Sequence, residues 1–141
     1  MGSKRPAATA IVIHDLDHAR AALAAAAALG RPVTLVSAPG AAGIAGAAWF
    51  LRVVALAAAD HPQASWDAVL DCADKAGHAQ AALRLGAKAI HYSGPRASAA
   101  KLAAIAERYG ARLETRQRTT HDLRGEADPE AACRSWIGDG G

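Results

Sequence analysis

The densest group of reactive side chains is Asp71-Cys72-Ala73-Asp74-Lys75, followed by Gly77-His78. Two carboxylates, a thiol, an amine and an imidazole fall within eight residues. They lie where an apolar segment ends and a helix is expected to begin. Asp71 at such a junction is placed to act as a base or to orient a substrate. Cys72, near a helix N-terminus, is a candidate for a lowered thiol pKa. Lys75 falls in a first helical turn, where the dipole disfavours a cation; a bound phosphate would account for it. The structural alternative makes Asp74 a helix cap and Cys72 part of the core, with Lys75 and His78 in water.

Two other stretches suit an anion. Ser37-Ala38-Pro39-Gly40 leads to Gly43 and Gly46, a glycine-rich turn before a helix. Glycines there let backbone N–H groups face a ligand at the positive end of the helix dipole. Close packing of the helix on a neighbour would also account for glycine at every third position. The turn has neither the Walker lysine nor the GxGxxG order, so no nucleotide or other cofactor signature is met. Ser93-Gly94-Pro95-Arg96 offers a hydroxyl and a guanidinium for a phosphate or carboxylate, or is an ordinary turn. His14 ends an apolar stretch, and with His91 and His121 it raises a metal reading. No HxxxH or HExxH spacing is present, and no metal site is assigned.

The elements that must position these residues come from a repeated beat: apolar strand, polar turn, alanine-rich helix, glycine, next strand. Thr9–Ile13, Val33–Ser37, Trp66–Asp71, Ala87–Tyr92 and the more polar Ala111–Arg116 read as strands, the last as an edge. Helices are expected from Asp15 or Asp17 to Leu29, over 43–60, up to Leu85, over 98–109 and from Asp128 to about Trp136. Gly30, Gly86 and Gly110 stand where helices favour a left-handed stop. Strands joined through helices are parallel. The chain therefore reads as a single-domain α/β protein, a parallel sheet of about five strands with helices on both faces. A flavodoxin-like three-layer sandwich is the first arrangement and a half-barrel of β/α units the alternative. The domain is expected over 9–137, with a flexible N-terminus over 1–8, a polar loop over 117–127 and a flexible tail over 138–141.

The 141 residues suffice for one real core, and hydrophobic residues make up 52 % of them, which argues against disorder. The net charge of +3 is scattered, with no run of Lys or Arg, so no nucleic-acid partner is expected. Cys72 and Cys133 form no CxxC pair and fit reduced thiols in a cytoplasmic protein. The run Ala38–Ala59 is long enough to cross a bilayer and carries one charge, Arg52. Proline and three glycines crowd its start, so it reads as a buried helix and no membrane partner is assigned. Trp49, Phe50, Val53 and their apolar neighbours surround that helix, leaving it no polar stripe. Its outer side calls for cover, most simply by a second copy, which predicts a homo-oligomer.

In open parallel sheets ligands collect beyond the carboxyl ends of the strands. The functional expectation is therefore a small cytoplasmic module binding an anionic small molecule there, with or without catalysis. Ser37, Gly40, Gly43, Ser93, Gly94 and Arg96 would grip the anion. Asp71, Lys75 and His14 would stand nearest any chemistry. The alternative is a non-catalytic oligomerising or regulatory domain working through the apolar helix 43–60.

Overall fold

The computed structural model describes residues 8–141, so the expected flexible start lies, but for Ala8, outside the described residues. β1 (Thr9–Ile13), β2 (Val33–Ser37), β3 (Trp66–Asp71), β4 (Ala89–His91), β5 (Arg112–Glu114) and β6 (Thr120–Asp122) form one sheet in the order β5-β4-β3-β2-β1-β6. Every pairing in it is parallel. The helices are α1 (Leu16–Leu29), α2 (Ala47–Asp60), α3 (Ala76–Arg84), α4 (Arg96–Arg108) and α5 (Pro129–Gly138), with a π-helical turn over Ala42–Gly46 before α2. The parallel α/β class is as the sequence reads. β6 is additional, inside the stretch expected to be a loop.

Local chemistry sets the helix ends. The Asp15 side chain accepts from the His18 N–H to start α1, and Gly30, at φ 62°, stops it. Asp128 caps α5 through the Ala131 N–H, with proline in the first turn. The Trp136 indole of α5 donates to the Ala10 carbonyl at 2.9 Å, which docks that helix on β1.

From β1 to β5 each βα unit steps the same way across the sheet. Right-handed crossovers that all step one way lay their helices in a row along one face, the winding of the half-barrel arrangement. α1 packs between α5 and α2, and α3 between α2 and α4. One hydrophobic core joins Ile11, Ile13, Val33, Leu35, Leu70 and Ile90 of the strands to buried residues of all five helices. The alternate strand residues Val12, Thr34, Val69 and His91 point the other way, yet they are buried as well.

Chain length accounts for that burial. Glu114 pairs with His91 at one edge and Thr120 with Ala10 at the other. A flat sheet would set these edges about 24 Å apart, at a spacing of about 4.8 Å per strand. The six steps from Glu114 to Thr120 reach at most about 22 Å, and they must also descend toward the amino end of the sheet. The sheet therefore curls, and the 115–119 segment crosses its concave face as a strap. Arg118 in the strap donates to both Glu114 oxygens at 2.8 Å and reaches the Thr34 hydroxyl at 3.5 Å. Arg112 and Asp67, 2.6 Å apart, extend this network.

Hydrogen bonds from Arg118 hold the Glu114 carboxyl below the ordinary glutamate range; burial opposes them, and Arg112 adds to them. A carboxyl depressed by folding stabilises the fold above its unfolded pKa, about 4.3, and that contribution is lost as pH falls through the folded value. Glu114→Gln is expected to cost about 1–3 kcal/mol at neutral pH, screening included. Chemical unfolding of the variant should lose less stability below about pH 4 than the parent does. Equal acid losses in the two proteins would remove the strap pair from the account.

Candidate functional site

Asp71 closes β3 and joins three loops. Its Oδ1 accepts from the Gly40 N–H at 2.9 Å and from the Ala73 N–H at 2.8 Å. Its own N–H donates to the Ser37 Oγ at 2.8 Å, and Ser37 Oγ–H donates in turn to the Ala38 carbonyl. Gly40 has φ +69°, a conformation that brings its N–H to the carboxylate at little cost. Ala73 holds φ +51° without being glycine. The Asp71 side chain bonding two residues ahead is the usual compensation for such a turn.

The second Asp71 oxygen lies 3.1 Å from the Nδ1 of His91, on the neighbouring strand. Facing a carboxylate, neutral His91 carries its proton on Nδ1 and leaves Nε2 a bare acceptor. His91 is 8 % exposed, and its Nε2 is buried with no hydrogen-bond partner. The ring lines a concave cavity of about 80 Å³, with Val12, Val36 and Val69 among the apolar walls and Glu114 and Arg118 on the strap side. That is room for a few waters or a small polar group. An oriented imidazole with a free nitrogen at the carboxyl end of a strand can accept a proton or a hydrogen bond.

The glycine corner is largely occupied by the protein itself. Gly40 serves Asp71, and the Gly43 N–H donates to the Gly40 carbonyl. A Cβ on Gly43 would stand 2.6 Å from the His78 ring, so that glycine permits close approach of the turn to α3. The anion resident at Gly40 is the Asp71 carboxylate.

Ser93, Gly94 and Arg96 lie in the next loop. The Ser93 N–H donates to the Ala73 carbonyl at 2.8 Å, which sets the starts of α3 and α4 side by side. Gly94 is needed because a side chain there would overlap the Tyr92 phenol. Ser93 and Arg96 are exposed. Lys75 is exposed too, with its ammonium 3.6 Å from Asp74 and no bond to Asp71. His14 belongs to a separate group on the same rim. Its Nε2 is 2.6 Å from Asp122, and its backbone N–H donates to His18 Nδ1. His121 pairs with Glu126 at 2.8 Å, so His14, His91 and His121 each face a different carboxylate.

Cys72 departs from the lowered pKa that its position suggested. Burial, and then the Asp71 charge, push the thiol up to about 12. Sequence reasoning also missed Glu114, Arg118, Asp122 and Arg124, because they fall in stretches read as a weak edge and a loop. Charged Arg112 and Glu114 alternate with Leu113, and that alternation was the available sign of a polar inner face. No known family model matches the chain, and no curated protein matches it either.

Asp71→Asn separates orientation from stability. The asparagine oxygen still accepts from Gly40 and Ala73, while its amide now donates to His91 Nδ1. The imidazole proton is then expected on Nε2, visible as exchanged nitrogen shifts in 15N NMR. A proton that stays on Nδ1 would show that Asp71 does not orient the ring. Native protein is also expected to leave both cysteines unreactive to a thiol reagent near neutral pH, with both reacting on unfolding.

Proposed function

We propose that this domain binds a small molecule carrying a phosphate or carboxylate group at the carboxyl ends of its strands, with His91 Nε2 as the proton acceptor. The observation that carries the reading is the buried, unpartnered nitrogen that Asp71 orients. A buried polar atom left unpaired is costly, and such atoms collect where a ligand or water completes them. The anionic end would meet Ser93, Gly94 and Arg96 at the start of α4, two residues beyond His91, beside Lys75 at the start of α3. Ser37, Gly40 and Gly43 act in this reading by fixing Asp71. His14 serves the far side of the same rim. The reading includes a cytoplasmic setting, in keeping with the two free, buried thiols.

A second reading takes α2 as a surface for self-association. Phe50 and Val53 are buried in the chain's own core, and the outward stripe is Trp49, Leu56 and alanines around Arg52. Trp49 is 40 % exposed and Leu56 41 %. The continuous helical stretch Ala42–Asp60 is long and apolar enough to cross a membrane. Its Ala47, Phe50, Val53, Val54 and Ala57 pack into the α/β core.

Thermal melting with inorganic phosphate, sulfate and a panel of phosphorylated and carboxylated metabolites tests the first reading. A ligand at about 100 times its Kd adds about 2.7 kcal/mol, which raises the midpoint by several degrees. The increase is expected to fall in Arg96→Gln and in His91→Gln. An unmoved midpoint throughout the panel, with a dimer by light scattering, would leave the second reading in its place.

A further inference from the structure

A second concavity opens on the same rim, between the end of β1 and the π-helical turn, with a volume of about 370 Å³. Small-ligand sites run from about 300 to 1,000 Å³. The cup falls in that range, and the His91 cavity does not. Its walls are apolar: Ile13, Ala38, Pro39 and Ala41 below, with Ile44 and Trp49 at the lip. Ile44 is 87 % exposed, the most exposed large hydrophobic residue among those described. The titratable side chains in its lining are His14 and Arg124.

These two residues are arranged rather than scattered. Asp122 takes the His14 Nε2–H at 2.6 Å, which leaves Nδ1 as an acceptor. The Arg124 guanidinium lies 3.4 Å from that nitrogen. The Asp122 side chain also accepts from the Arg124 backbone N–H at 2.8 Å. Among the described residues Arg124 makes no ion pair within 4.0 Å. A held guanidinium beside an apolar cup calls for a ligand with one carboxylate and an apolar body.

We propose that this cup binds a small organic acid, with the carboxylate on Arg124 and an aromatic or branched aliphatic body against Trp49 and Ile44. The charge at the mouth selects the acid over its neutral analogue. The apolar lip accounts for Ile44 and Trp49 standing in solvent when the site is free. The inference rests on the cup and Arg124, and it stands or falls apart from His91.

Calorimetric titration of the intact protein with phenylacetate, 4-methylpentanoate, phenylacetamide and inorganic phosphate tests it. Both acids are expected to bind, and phenylacetamide at least about tenfold more weakly than phenylacetate. Any heat from phosphate belongs to the Arg96 rim and should be unchanged in Arg124→Gln and in Trp49→Ala. Arg124→Gln should erase the preference for acid over amide, Arg124→Lys should keep part of it, and Trp49→Ala should weaken acid and amide alike. Circular dichroism of each variant guards against loss of fold. Equal binding of acid and amide, no binding of either acid, or an undiminished preference in Arg124→Gln would overturn the proposal. So would self-association abolished by Trp49→Ala with no acid bound, which would assign the lip to a second copy of the chain.

Discussion

The short connection between β5 and β6 governs this molecule. Parallel edge strands at opposite ends of a six-stranded sheet need a long return, and here the strap has five residues, 115–119. Too short to cross a flat sheet, it bends the sheet around itself. Bending turns the face that carries no helices into an interior, and so buries Thr34, Val69 and His91 without a second helical layer against them. It also explains why that interior is polar. Glu114 and Arg118 sit half-buried there because they satisfy one another, while Arg112 and Asp67 continue the network out to solvent.

The same enclosure sorts the rim into two chemically different places. At the ends of β2, β3 and β4, one carboxylate consumes the flexible backbone around it and leaves an imidazole nitrogen idle. At the ends of β1 and β6, a carboxylate steadies an imidazole, which steadies a guanidinium beside an apolar hollow. Burial would raise the Asp122 carboxyl; the Arg124 N–H and the His14 imidazole outweigh it and hold the group below its usual range. Pro39 forms part of the wall of both places.

Much of the architecture was legible because its causes are local. Apolar runs marked β1, β2 and β3 to the residue, and Asp15, Gly30 and Asp128 marked helix ends through their own side chains or dihedrals. β6 was not legible: Thr120, His121 and Asp122 are polar, and they become a strand only because the strap delivers them beside β1. The face that α2 turns inward was equally hidden. With large apolar side chains on every side of the helix, adjacent Trp49 and Phe50 looked equally fit for burial, and the core chose Phe50. The rim residues were predicted as a set from parallel topology. Their partnerships were not, since Asp71 meets Gly40 and His91 across 31 and 20 residues of chain.

The placement of β6 and α5 also bears on how the chain is made. β1 leaves the ribosome before β6 and α5, yet among the described residues its outer edge is covered by β6, and its Ala10 carbonyl is held by Trp136. Emergence takes seconds at about 5–20 residues per second. Throughout that time β1 offers an unpaired, β-branched border to any other nascent chain. The seam closes with residues 120–138, so completing the fold and shielding its most adhesive border are one late event.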